Sequence, residues 1–263
     1  MLYDPTRHEA LQPLAWNEDL ARETIRRVVR DTEDRFSADR YWPLHPRDVE
    51  ADEDRDHVAT TLYYGACGVI WALRYLHGFV ATASPLIRGR HLLGHEAWAA
   101  WQACIFTTIT RTAICDGDQA SWPTHLVLPG GRASRALMQF CHGAPGFVVC
   151  LSDFPGAELD DLLLAAGRAV WAAGPLTKGS NLCHGTGGNG YTFLKLYQRT
   201  QDPLWLGRAR AFAMHGIAQT DEDAVRHGQM RYSLWTGDPG FAIYLWDCVR
   251  GKAVFPTLDA FYV

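Results

Sequence analysis

The sequence lacks the usual features of proteins that bind nucleic acid or cross a membrane. Its 25 Lys and Arg residues stand against 29 Asp and Glu residues, which gives a formal net charge of −4. The basic residues are scattered, so we expect no surface for a phosphate backbone and no nucleic-acid partner. No apolar run reaches the roughly 20 residues that span a bilayer, and no signal peptide is recognisable. We therefore expect a cytoplasmic protein without a transmembrane segment.

A disulfide framework and paired acidic residues are also missing. The seven cysteines are odd in number and irregularly spaced, which suits reduced thiols and metal ligands. We expect five of them to be packing residues, because their neighbours are apolar: Cys67, Cys104, Cys115, Cys150 and Cys248. The glycine-containing turns carry no matched pair of carboxylates, which argues against a glycoside-processing enzyme.

Strand signals are sparse, and helical periodicity dominates what is present. Amphipathic helices are predicted after the N-cap residue Asn17, over residues 158–173 and over about residues 204–219. Because 48% of the residues are hydrophobic, a chain of this length can bury a substantial core. No linker divides residues 1–263, so the sequence predicts a single all-α domain.

One pattern recurs along the chain: Gly-x-x-Gly followed by an apolar run. The copies begin at Gly65, Gly143, Gly185 and Gly237, and the last three are 42 and 52 residues apart. Such spacings are near those of repeated structural units. Each unit would be a helical hairpin with an apolar inner helix and an amphipathic outer helix. The glycine turns would then gather at one end of the inner helices.

Two of these turns open with Cys-His-Gly, at Cys141-His142-Gly143 and at Cys183-His184-Gly185. Zn²⁺ prefers thiolate and imidazole ligands, and glycine lets the backbone turn sharply. A ring of repeats would bring Cys141, Cys183 and His184 together. Such a Cys₂His set leaves one coordination position open, as catalytic zinc sites do. We predict that these three residues bind Zn²⁺.

Three other polar residues have competing interpretations. Three roles are open for His142: a fourth ligand, a proton-transfer residue beside the metal, or a hydrogen-bonded turn residue. We favour the proton-transfer role. His95 is more typical of an ordinary surface or core histidine than of a catalytic one. Asp238, in a turn without soft ligands, is expected to be a capping carboxylate.

Residues 139–146, 181–190 and 232–240 resemble the lanthionine synthetase C-like family, and residues 61–71 look like its N-terminal repeat. The resemblance implies an α/α toroid with one zinc ion held by Cys141, Cys183 and His184. Family members have seven hairpins, whereas four clear copies stand here, so an incomplete ring without the middle repeats is expected. The family's proposed proton donor lies in an Ala-His-Gly turn, which Gly94-His95-Glu96-Ala97 matches best. His95 is therefore the second candidate for proton transfer after His142.

The resemblance also implies a reaction. A zinc-assisted thiol, from a peptide cysteine or glutathione, would add to a dehydrated Ser or Thr residue of a peptide and give a thioether. The alternative is a zinc- and thiol-binding protein without turnover. An incomplete ring would also expose apolar helix faces, so oligomerisation, a rearranged bundle and a non-functional remnant remain open.

Overall fold

The computed structural model describes residues 2–37, 40–48, 61, 66–76, 90, 94–124 and 137–259. The described chain is mostly helical, which confirms the all-α class. Its only strands form a two-stranded antiparallel ribbon of β1 (Ile114–Asp116) and β2 (Gln119–Ser121). The helices are α1 (Glu18–Asp34), α2 (Ala66–Leu76), α3 (His95–Thr112), α4 (Ala144–Leu151), α5 (Asp160–Ala173), α6 (Thr186–Thr200), α7 (Pro203–His227) and α8 (Asp238–Arg250).

Helix α1 begins where its capping residue predicts. The Asn17 side chain accepts a hydrogen bond from the backbone N–H of Leu20 at 3.0 Å, which satisfies one of the free donors of the first turn. One side of the helix is buried, and its residues recur at helical spacing: Ala21, Thr24, Val28 and Thr32. The helix ends at Asp34, and Phe36, two residues beyond that end, is 49% exposed.

Helix α7 is longer than the predicted range of residues 204–219. It continues to His227 and ends at Gly228, whose φ of +69° suits a glycine cap. The added turns are polar, so apolar periodicity could not reveal them. Their carboxylates form ion pairs with two arginines from other parts of the chain, through Arg27–Asp221 and Arg47–Asp223. Helix α5 ends at Ala173, as predicted.

The helices that follow the glycine turns form the inner layer. Residues 186–196 of α6 are buried on every side, and α8 is buried over most of its length. The inner helices contact one another in the order α4, α6, α8, α2, and α1, α5 and α7 pack outside them. Helix α2 of the first copy thus packs beside α8 of the last, which agrees with an α/α toroid. Residue Gly65 of the first copy lies outside the described residues.

Two details correct the expectations from the sequence. None of the seven cysteines forms a disulfide, but Cys67, Cys104, Cys115 and Cys150 are exposed, and of the five expected packing residues only Cys248 is buried. Apolar sequence neighbours do not bury a residue whose own helix face is open; in α3, Ile109 is the buried position.

The β1–β2 ribbon was also missed, although Asp116-Gly117 is a known hairpin signal and Gly117 has φ +60°. Among the described helices, none is long and apolar enough to cross a membrane.

A buried ion pair holds the C-terminal segment against the inner layer. The ammonium group of Lys195, on α6, is fully buried and lies 2.7 Å from a carboxylate oxygen of Asp259 and 3.5 Å from one of Asp153. The same Asp259 oxygen accepts the backbone N–H of Phe255 at 2.7 Å. Phe255 is fully buried. The ion pair therefore determines where this aromatic ring lies.

We expect Asp259→Ala to destabilise the fold by about 3 kcal/mol, because it leaves a buried ammonium group without its closest carboxylate. Asp153→Ala is the matched control: the carboxylate of Asp153 is 25% exposed and farther from Lys195, so its loss should cost about 1 kcal/mol or less. Urea denaturation of the three proteins measures both values. Equal losses in the two variants would contradict the assignment of Asp259 as the main partner.

Candidate metal centre

The structure brings Cys141, Cys183 and His184 into one cluster. The two sulfur atoms and an imidazole nitrogen all lie within 4.8 Å of one another. Backbone hydrogen bonds connect the turns that carry them: the N–H of Cys141 donates to the carbonyl of Cys183 at 3.1 Å, and the N–H of Cys183 donates to the carbonyl of Trp235 at 2.8 Å. Three successive glycine turns thus meet at the cluster.

The turn before α6 is shaped by Asn181. Its side-chain oxygen accepts the backbone N–H of His184 at 3.0 Å, and its amide nitrogen donates to the carbonyl of Lys178 at 3.1 Å. The backbone N–H of Gly188, in the first turn of α6, donates to the carbonyl of Asn181. These bonds fix the backbone on both sides of Cys183.

Aromatic rings pack against the turns that carry the cluster. Phe255, from the C-terminal segment, stacks on Phe140 at a centroid distance of 4.4 Å and contacts Trp235 at 5.6 Å. Phe140 precedes Cys141, and the carbonyl of Trp235 accepts the N–H of Cys183. Tyr191 of α6 closes the group with its ring 4.7 Å from Phe255. Such aromatic contacts add about 1 kcal/mol each beyond the burial of their surface.

The surroundings favour the protonation states that bind metals. A hydrogen bond with the Cys183 thiol, helped by His142 and Gln139, lowers the pKa of Cys141 to about 5. The Gln139 amide nitrogen lies 3.0 Å from the Cys141 sulfur, and the Gln139 oxygen accepts from Arg7 at 3.0 Å. Desolvation, together with the charges of Lys178 and other cations, lowers the pKa of His184 to about 4. A thiolate and a neutral imidazole are the forms that coordinate a metal.

The donor set fits zinc. Tetrahedral zinc with sulfur ligands at about 2.3 Å and nitrogen at about 2.0 Å keeps its ligand atoms roughly 3.5 Å apart. The separations in the cluster, within 4.8 Å, need only a small contraction to reach this geometry. Two thiolates and one imidazole favour zinc over hard cations such as Mg²⁺ or Ca²⁺, which prefer oxygen ligands.

The remaining predicted residues lie in different places. His142 follows Cys141 directly, and its Nδ1 atom is 3.4 Å from the Cys141 sulfur. His95 is the exposed first residue of α3 and is not part of the Cys₂His group. Asp238 is the first residue of α8, and its carboxylate accepts the backbone N–H of Arg231 at 2.8 Å. The capping role expected for Asp238 is therefore wrong: Gly237 is the N-cap of α8 and no side chain caps this helix, and Asp238 instead holds the preceding turn at Arg231.

Several supporting residues were missed from the sequence: Gln139, Asn181, Trp235 and Phe255. Asn181 had a signal, since an Asn ahead of a tight turn commonly bonds to the backbone two or three residues on. The role of Trp235 is played by its backbone carbonyl, which any residue possesses. Phe255 reaches the cluster only through the folding of the C-terminal segment. Side-chain patterns could not indicate these last two contacts.

The fold and the cluster together define a class: an all-α protein of helical hairpins whose glycine turns carry a Cys₂His group. A family model described as lanthionine synthetase C-like protein matches residues 103–259. The match covers more than half of the chain, and the chain belongs to this family. The match includes all three residues of the cluster.

Two curated relatives are similar to this chain. One, named glutathione S-transferase LANCL1, from Danio rerio, is 35% identical over 193 residues, which are 70% of this chain and 47% of the relative. The other, LanC-like protein GCL1 from Arabidopsis thaliana, is 37% identical over 124 residues, which are 44% of this chain and 28% of the relative. The chain therefore spans no more than about half the length of either relative.

The close approach at Gly188 gives a test of the turn. A Cβ atom there would lie 1.9 Å from the carbonyl oxygen of Leu182, the residue before Cys183. We expect Gly188→Ala to lower the unfolding free energy by more than 2 kcal/mol, because the turn must move. Gly207→Ala, in α7, is the control: a Cβ there meets no atom within 4 Å, and alanine should stabilise the helix by about 1 kcal/mol. Urea denaturation compares them, and stabilisation by both substitutions would refute the close approach.

Asp238 gives a test that depends on pH. Burial raises the pKa of its carboxyl to about 7; Asp223 adds to the shift, and the charges of Arg231 and Arg27 oppose it. The folded state thus favours the neutral acid. The stability that the neutral Asp238 contributes is complete below about pH 4 and is lost as the pH rises through 7.

The amide of Asp238→Asn cannot ionise, so the variant should lose less stability than the wild type between pH 5 and pH 8. Urea denaturation at both pH values, with a chelator present so that metal binding does not contribute, measures the two losses. An equal loss in the two proteins would contradict the raised pKa.

Proposed function

We propose that this chain binds one zinc ion through Cys141, Cys183 and His184 and catalyses the addition of a thiol to a dehydroamino-acid residue. The product is a thioether. The observation that carries the proposal is the cluster itself, whose three ligand atoms lie within 4.8 Å of one another. Three protein ligands would leave the fourth position of a tetrahedral zinc ion for a thiol. Membership of the lanthionine synthetase C-like family supports a thiol-related function.

A bound zinc ion would act as a Lewis acid that keeps a thiol in its thiolate form near neutral pH. The chain's own residues position the reactants and move the proton. Cys141 and Cys183 would make the site electron-rich as thiolate ligands, so a thiol held there would keep its nucleophilic character. His142, beside Cys141 and exposed, is the candidate that gives a proton to the carbon next to the new C–S bond. His95, exposed at the start of α3, is the second candidate.

Charge around the cluster favours an anionic thiol. Lys178, Arg231 and Arg7 all act on His184 as nearby positive charges. Arg231 is paired with Asp48, and Arg7 bonds to Gln139, whereas the side chain of Lys178 is exposed. Glutathione carries two carboxylates and suits these cations, and one relative is named a glutathione S-transferase. Glutathione, or a cysteine of the acceptor peptide, is therefore our proposed donor. Seven cysteines without a disulfide suit the reducing cytoplasm.

Zinc analysis tests the ligand assignment. We expect about one zinc ion per chain in the wild type and a loss of at least tenfold in zinc affinity in Cys183→Ala. Cys248→Ala is the matched control, because Cys248 is also buried but lies outside the cluster and should keep its zinc. Undiminished zinc in Cys183→Ala would overturn the assignment.

Turnover is measured on the same proteins, by mass spectrometry of a dehydroalanine peptide incubated with glutathione. The wild type should form the thioether, and His142→Asn should keep its zinc while its rate falls by about a hundredfold. A wild type that is fully loaded with zinc but adds no thiol would support the alternative, a zinc- and thiol-binding protein without turnover.

A further inference from the structure

An apolar cleft of about 270 Å³ lies beside the Cys₂His cluster. Its walls come from α3 and α4 and from the turn between Phe140 and Gly143. The apolar part is formed by Ile109, Phe140, Phe147 and Leu151, and Cys141 and His142 line the same cleft. None of the described lining residues is an Asp, Glu, Lys or Arg. The cleft thus joins an apolar wall to the residues of the proposed reaction.

Small residues of α4 shape one wall of the cleft. Cys150 lies four residues after Gly146 and three after Phe147, so it neighbours both on the surface of α4, and Gly146 and Cys150 are small. A Cβ atom on Gly146 would lie 2.1 Å from the carbonyl oxygen of Phe140, so this position cannot carry a side chain without a shift. The Phe147 ring stacks flat on Trp122 at 4.3 Å, which holds the ring against the wall.

Cys150 contributes volume and apolar surface to the cleft. Part of Cys150 is exposed in the open cleft, but the protein around the thiol desolvates it and raises its pKa, so it stays protonated near neutral pH and does not compete as a nucleophile. A site of this size is slightly below the range of about 300–1,000 Å³ that holds a whole drug-sized ligand. It therefore suits one apolar group.

We propose that this cleft binds an apolar group attached to the α,β-unsaturated carbonyl acceptor, so that the enzyme selects acceptors carrying such a group. The inference rests on the proposed function, because it assigns the cleft to the acceptor of that reaction. The thiol adds across the C=C bond: its sulfur forms the new C–S bond, the π bond breaks, and a proton ends on the carbon next to the carbonyl. The addition needs no oxidant or reductant.

The group belongs either to a side chain next to the dehydroamino acid in a peptide or to a small unsaturated ketone. Two pairs of acceptors distinguish these sources. The first pair is acetyl-Phe-dehydroalanine-Gly-amide and acetyl-Gly-dehydroalanine-Gly-amide, and the second is 1-octen-3-one and methyl vinyl ketone. With glutathione as donor and the uncatalysed rate subtracted, kcat/KM should be about tenfold higher for the apolar member. Preference in one pair only identifies that source, and no preference in either pair overturns the proposal.

Filling the cleft should remove the preference. Cys150→Trp places a large side chain on the open face of α4, and we expect the ratio within each preferred pair to fall to about two or less. Cys115→Trp is the matched control, because Cys115 is exposed on β1 and does not line the cleft; its ratio should stay near tenfold. If circular dichroism shows that Cys150→Trp has lost helix, the smaller Cys150→Leu replaces it. An unchanged ratio in a folded Cys150 variant contradicts the proposal.

Binding without turnover separates this proposal from the proposed function. The peptides acetyl-Phe-Ala-Gly-amide and acetyl-Gly-Ala-Gly-amide cannot react, and NMR titration of the zinc-loaded protein measures their affinities. We expect the Phe peptide to bind about tenfold more tightly to the wild type and to lose this advantage in Cys150→Trp. Equal affinities, together with equal rates for the two enones, would refute the binding of an apolar group in the cleft even if the enzyme adds thiols. Tighter binding of the Phe peptide without any thioether product would support the binding of an apolar group in the cleft and refute the proposed reaction.

Discussion

Two backbone hydrogen bonds hold the site together, one from Cys141 to the carbonyl of Cys183 and one from Cys183 to the carbonyl of Trp235. They join three turns that are distant in sequence, and two of these turns carry the ligand atoms. Their geometry depends on glycines that let each turn pass close to the preceding chain. The inner helices supply the rigid frame, because α6 and α8 are buried nearly throughout and cannot slide independently.

The apolar and polar parts of the structure have different roles at the site. Apolar inner helices and the rings of Phe140, Trp235 and Phe255 fix the position of the turns, and the buried Lys195–Asp259 pair orients the segment that carries Phe255. The turns then offer polar backbone groups and soft side chains at one end of the helices. A site on such a frame loses little entropy when it orders a metal ion or a thiol.

Much of the fold follows from local patterns in the sequence. The cap at Asn17 marks the start of α1, and the repeated Gly-x-x-Gly motif indicates that Cys141 and the Cys183-His184 pair open equivalent turns. The features that these patterns could not predict depend on contacts between distant segments. The polar end of α7 is stabilised by ion pairs to other parts of the chain, and Cys150 faces a cleft although its neighbours are apolar. Periodicity reports which face of a helix is apolar, but not whether another element covers that face.

In the zinc centre that we propose, two sulfur atoms and one imidazole nitrogen hold a single metal ion. X-ray absorption spectroscopy at the zinc edge of the purified, zinc-loaded protein measures this coordination directly. This ligand set predicts two Zn–S bonds at about 2.3 Å and one or two nitrogen or oxygen ligands at about 2.0–2.1 Å. A spectrum with nitrogen and oxygen ligands alone would contradict it.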